Sequence, residues 1–156
     1  TNTIKLSGVK VGLIAILLDI SKSFFPVYLA INYGINSYEL IFICLAAISG
    51  SIFSPFLKFK GSKSLSVTCG IWLAISSGVI GPLICLMMAF SHLIQKTHIW
   101  TILFGWIGIL IWVLIFSFAL EFIVIYLINF ILVMYKHRKE LNQKIIFRNW
   151  INERKA

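Results

Sequence analysis

The sequence predicts an all-α, polytopic membrane bundle of about six helices, and three observations predict it. Of 156 residues, 60% are apolar and only 12% are charged, against roughly 25% charged in a soluble domain. The apolar residues fall into long runs, several of them near the ~20 residues that cross a bilayer. The basic residues also cluster, at 1–10, 58–63, Lys96 and 136–155, whereas the turns expected at 32–38, near 80 and near 119 hold no Lys or Arg. Six helices put every basic cluster on one side and every such turn on the other, with both ends cytoplasmic. The composition excludes a disordered chain, a disulfide scaffold and a typical soluble enzyme. The length fits one membrane-embedded domain over 1–156, with 136–156 as a basic cytoplasmic tail.

The first span is read from Val11 to Ile31, a mostly apolar stretch interrupted by Asp19, Lys22 and Ser23. Asp19 and Lys22 share a helix face. They are expected to face the bundle interior or a water-filled cavity, as a pair locking neighbouring helices or as a direct substrate contact. A polar turn at Asn32–Ser37 leads to a second, shorter apolar run from Tyr38 to Phe53. Leu65–Leu93 is broken by Gly78, Gly81 and Pro82. Because proline lacks an N–H and ends or kinks a helix, two short helices are predicted, near 65–79 and 82–94. His92 and His98 flank a polar connector and read as interfacial residues. Ile99–Tyr135 holds one charge, Glu121, and is long enough for two spans with a turn near Ser117–Glu121.

The last 21 residues hold seven of the 14 basic residues. Leu141, Ile145, Ile146, Trp150 and Ile151 recur among them at helical spacing, which predicts a basic amphipathic helix on an anionic membrane face. The three cysteines sit singly in apolar runs, so neither a disulfide framework nor a zinc site is indicated.

Between the second and third runs lies Ser54-Pro55-Phe56-Leu57-Lys58-Phe59-Lys60-Gly61-Ser62-Lys63-Ser64. A Gly/Ser turn entering a helix presents backbone N–H groups and the positive end of the helix dipole, which together suit a phosphate. A topogenic loop is the other reading of the same lysines. The spacing is not that of a Walker A loop.

Three ordered segments resemble the acyl-phosphate-dependent glycerol-3-phosphate acyltransferases of bacterial membranes, the PlsY family. Thr1-Asn2-Thr3-Ile4-Lys5, then Gly8, Gly12 and Asp19-Ile20-Ser21-Lys22-Ser23, follow its first motif, A-T-N-V-x-R followed by G-x-x-x-G and D-x-x-K-G. Gly50–Ser64 follows its second, G-H-x-x-P-x-F and F-K-G-G-K-G. His137-Arg138-Lys139-Glu140-Leu141 follows its third, H-R-x-N-I. The chain departs at Lys5 (for Arg), Ser51 (for His), Ser62 and Ser64 (for Gly) and Glu140 (for Asn). The glycine-rich start of the first motif and the helix before it are absent, which fits either a truncated start or divergence.

The resemblance implies acyl transfer from acyl phosphate to the 1-hydroxyl of glycerol 3-phosphate, giving lysophosphatidic acid. It implies Lys63 and His137 as catalytic residues. Thr1, Asn2, Lys5, Gly61, Ser62, Lys63, Ser64 and Arg138 would bind substrate, with Lys5, Lys63 and His137 on phosphate. No metal or cofactor is implied, and no nucleic-acid partner. The chain is expected to be a monomer in the bacterial inner membrane with its active face cytoplasmic. The alternatives are a small membrane transporter or binding subunit for an anionic metabolite, and a catalytically degenerate relative.

Overall fold

The computed structural model describes residues 2–54, 61–116 and 119–147, with side chains from Gly8 onward. Six helices follow in order: α1 (Asn2–Asn32), α2 (Ser37–Ile52), α3 (Leu65–Ile75), α4 (Ile80–Ile94), α5 (His98–Phe116) and α6 (Leu120–His137). No strand forms among the described residues; one isolated antiparallel bridge joins Gln95 and Phe147. Three helices are long and apolar enough to cross a membrane: Gly8–Asn32 of α1, α5 and α6. The other three are apolar but shorter, and at 1.5 Å per residue the 11-residue α3 falls well short of the ~30 Å hydrocarbon layer. Short helices of this kind survive by burial among longer ones. Val67, Gly70, Ile71, Trp72 and Ala74 of α3 are accordingly buried.

Local sequence explains the boundaries. α1 is interrupted at Gly8, whose φ is +83°, and continues through Pro26 to Asn32. Gly34, in the left-handed region at φ +68°, turns the chain into α2, where Glu39 in the first turn suits the helix dipole. Pro82 lies in the first turn of α4, where a missing N–H costs little. The hairpin expected near residue 80 therefore forms over 76–79.

Packing is layered by small residues. α1 lies closest on α3, and α4 on α5. Gly105 and Gly108 of α5 face Met88 and Met87 of α4: a Cβ on either glycine would sit 3.1–3.2 Å from the methionine Cγ. Such small positions let membrane helices approach closely. Gly70 plays the same part between α3 and α1, against the Ser23 hydroxyl and the Ile20 carbonyl. Beside it, Ser23 Oγ donates to Val67 O at 2.9 Å. Gly70→Ala is expected to destabilise the protein by about 1–3 kcal/mol, because one of the two obstructing atoms is backbone. Thermal unfolding in detergent measures this, and a melting temperature equal to wild type would contradict the close α1–α3 approach.

The interior is otherwise apolar and aromatic. Tyr126 lies edge-on to Trp106 and Trp72, and Phe130 stacks on Tyr126. Thr68 Oγ1 donates to Asn129 Oδ1 at 3.0 Å, fully inside the bundle, tying α3 to α6. Leu13, Leu17, Leu18, Phe25, Ile115, Phe116, Leu127 and Ile131 are exposed, as bilayer-facing side chains must be.

Two expectations are corrected. Asp19 and Lys22 do pair, at 2.6 Å, but within α1 and with side chains 39% and 52% exposed. An i,i+3 pair satisfies its own charges, so it does not lock α1 to a neighbour, although Lys22 lines a cavity with Ala47, Gly50 and Ser51 of α2. Beyond α6, the tail is also not helical over its described part. Residues 138–142 form turns and 143–146 have no regular structure. Thr97 explains the difference: its hydroxyl donates to Lys144 O (2.9 Å) and accepts from the Ile146 N–H (3.2 Å). Lys96 N–H donates to Ile146 O (2.9 Å), and Trp100 Nε1 to Gln143 O (3.2 Å). These bonds hold the tail as a strap across the α4–α5 connector and use backbone groups that a helix would need. Trp150 and Ile151 lie outside the described residues.

Candidate active site

The end of the bundle that carries the loop before α3 also carries the exit of α6. His137 is the last residue of α6, and its side chain is 0% exposed. Three residues on, Glu140 turns back: its N–H donates to His137 O at 2.7 Å. Its carboxylate is divided. Oε2 lies 3.0 Å from His137 Nδ1, and Oε1 pairs with Lys63 Nζ. Two residues expected from the sequence to act together, Lys63 and His137, are thus joined through a third. Hydrogen bonding from Lys63, and then from His137, holds the Glu140 carboxyl below the usual carboxylate range against the opposing effect of burial. Glu140 is therefore ionised at neutral pH, and its carboxylate is held by the Lys63 ammonium and the His137 ring rather than left free to repel an anion.

The loop is shaped by α2. Ser62 N–H donates to Ser51 O at 3.1 Å, and the Ser51 and Ser62 hydroxyls lie 2.8 Å apart. Ser64 N–H donates to Ser62 Oγ at 3.1 Å, and Ser64 caps α3 in the left-handed region at φ +58°. The expected cradle is thus partly occupied by the protein itself, since the N–H groups of Ser62 and Ser64 already have acceptors. Gly61 packs directly against the carbonyls of Ser51 and Ile52. Its role is to let the loop lie on the end of α2, which brings Lys63 to Glu140. A cavity of about 280 Å³, lined by Lys22, Ala47, Gly50 and Ser51, opens beside the serine pair.

Arg138 lies over the Tyr135 ring, 4.5 Å from its centroid, on exposed surface. Thr1 and the side chains of Asn2 and Lys5 lie outside the described residues, as do Lys58 and Lys60. Sequence reasoning did not foresee Glu140 as a bridge. The signal was its i,i+3 spacing from a histidine at a helix exit, a spacing that brings two side chains together.

Apolar helices, three of them long enough to cross a bilayer, with Lys63, Glu140 and His137 meeting at one end, define a multi-pass membrane protein. Residues 1–146 match the family model described as glycerol-3-phosphate acyltransferase. Glycerol-3-phosphate acyltransferase 1 of Thermotoga maritima is 30% identical over 159 residues, spanning 92% of this chain and 78% of the relative. The glycerol-3-phosphate acyltransferase of Aquifex aeolicus is 28% identical, with 92% and 74% covered. The crystal structure of PlsY (YgiH) in its glycerol 3-phosphate form superposes with a TM-score of 0.82 at 24% identity, covering 90% of this chain and 70% of that one. The chain belongs to the glycerol-3-phosphate acyltransferase family.

Proposed function

We propose that the protein transfers an acyl group from acyl phosphate to the 1-hydroxyl of glycerol 3-phosphate. The products are lysophosphatidic acid and inorganic phosphate. The reading places this on the cytoplasmic face of the bacterial inner membrane, with the chain working as a monomer and a single membrane-embedded domain. The observation that carries it is the meeting of Lys63, Glu140 and His137 at the end of the bundle, in a chain of this family.

Both substrates carry phosphate, so the site needs cations near the membrane surface. Lys63 supplies one on the loop, and Lys5 another at the position of the family's arginine, as a point charge rather than a bidentate fork. One substrate carries an acyl tail, and the apolar outer faces of the helices give it a path from the bilayer. Acyl phosphate is already activated. Neutralising the departing phosphate and aligning the attacking hydroxyl then supply most of the catalysis, without a nucleophilic side chain.

Purified protein should release phosphate from palmitoyl phosphate only when glycerol 3-phosphate is present, and palmitoyl-CoA should not replace the donor. Coupled phosphate detection and thin-layer analysis of the lipid product read this directly. Uptake of glycerol 3-phosphate into proteoliposomes without acyl transfer would instead identify a transporter.

A further inference from the structure

We infer that Glu140 is a positioning residue that holds His137 with its proton on Nδ1, leaving Nε2 free to take the proton of the substrate hydroxyl. The inference rests on the acyl-transfer reading above and gives His137 a proton-accepting role in place of contact with phosphate.

An ionised carboxylate can only accept hydrogen bonds. At 3.0 Å from Glu140 Oε2, His137 Nδ1 is therefore the donor, and a neutral imidazole that carries its proton there has its lone pair on Nε2. His137 Nε2 is buried and has no hydrogen-bond partner among the described residues. A buried polar atom left alone is costly, and the group that suits a buried lone pair is a hydroxyl donor. Of the site's other polar groups, the Ser51 and Ser62 hydroxyls pair with each other and Asp19 with Lys22, whereas the buried Ser64 hydroxyl has no partner among the described residues. Lys63, on the opposite oxygen of Glu140, fixes the carboxylate so that it cannot swing away from the ring. An amide at this position, as in the family motif that the sequence resembles, either accepts from Nδ1 or donates to it and so does not specify the tautomer.

The step balances. The glycerol oxygen forms a bond to the acyl carbon while its proton passes to His137 Nε2. The bond from the acyl carbon to the phosphate oxygen breaks, and the phosphate leaves with the electron pair. The imidazolium, held against Glu140, then gives its proton to the departing phosphate.

The test uses the full chain in detergent or nanodiscs, labelled with ¹⁵N at its three histidines, with His137→Gln assigning the His137 signals. Wild type should show His137 protonated on Nδ1 with Nε2 bare, and Glu140→Ala should show mixed tautomers. With palmitoyl phosphate and glycerol 3-phosphate, Glu140→Ala should lower kcat by about tenfold or more, with KM moving much less. The isosteric Glu140→Gln, which keeps an acceptor and the fold, should fall between the two; it carries the test if Glu140→Ala does not fold. A proton on Nε2 in wild type, or a kcat at or above wild type in either variant, would overturn the inference. Absence of turnover in wild type removes the acyl-transfer reading itself, and the base role with it, whereas the tautomer is read independently of activity.

Discussion

Lys63→Ala is expected to lower kcat/KM for glycerol 3-phosphate by on the order of 10–150-fold, the equivalent of a charge-assisted contact worth about 1.5–3 kcal/mol. Two effects combine. The variant removes a cation from the end of the bundle, and it releases one oxygen of Glu140, whose carboxylate Lys63 and His137 now share. The freed negative charge then opposes the phosphate that the proposed reaction brings to this end of the bundle. Lys58→Ala and Lys60→Ala separate this from a topogenic role, since a loop that only orients the protein treats its three lysines alike. Those two variants should cost far less, at similar expression and membrane insertion. Equal, small losses at all three positions would remove the phosphate role of the loop.

Much of the architecture was legible in the sequence because the bilayer imposes simple rules. Apolar runs, the Gly78–Pro82 break and the one-sided lysines place six helices and their turns within a few residues of where they lie. What was not legible depended on partners far away in the chain. The pattern Leu141, Ile145, Ile146 fits a helix, and nothing local shows that Thr97 will hold Lys144 and Ile146 as a strap. Asp19 and Lys22 were visible as a pair, but not which way the pair would face, because that depends on the rotation of α1 against α3. In the candidate site, the motifs single out Lys63 and His137. Their link was not legible: Glu140, in the place of an asparagine, reads in the sequence as a charge that repels phosphate. In the structure Lys63 pairs with that charge and His137 lies against its other oxygen. Ser51 gives a similar lesson. Its hydroxyl meets Ser62 only because Gly61 lets the loop fold back onto α2.

Gly61→Ala should therefore disable the site as severely as the loss of Lys63, although glycine carries no chemistry. A Cβ at this position would overlap the Ser51 and Ile52 carbonyls, backbone atoms at the end of a helix that cannot swing aside as a flexible side chain does. The loop must lift, breaking the Ser62 N–H to Ser51 O bond and the serine hydroxyl pair. Relieving such overpacking costs about 1–3 kcal/mol of stability. The larger effect is on geometry, since Lys63 lies two residues further on. Displacing a substrate-holding group by about 1 Å costs on the order of 100-fold in rate. Gly50→Ala is the comparison for stability: a Cβ there meets nothing within 4 Å, and alanine gains about 0.5–1 kcal/mol over glycine inside a helix. Thermal unfolding should move in opposite directions for the two variants, and phosphate release should collapse for Gly61→Ala. A Gly61→Ala enzyme with wild-type kcat/KM would show that the seating of the loop on α2 does not position Lys63.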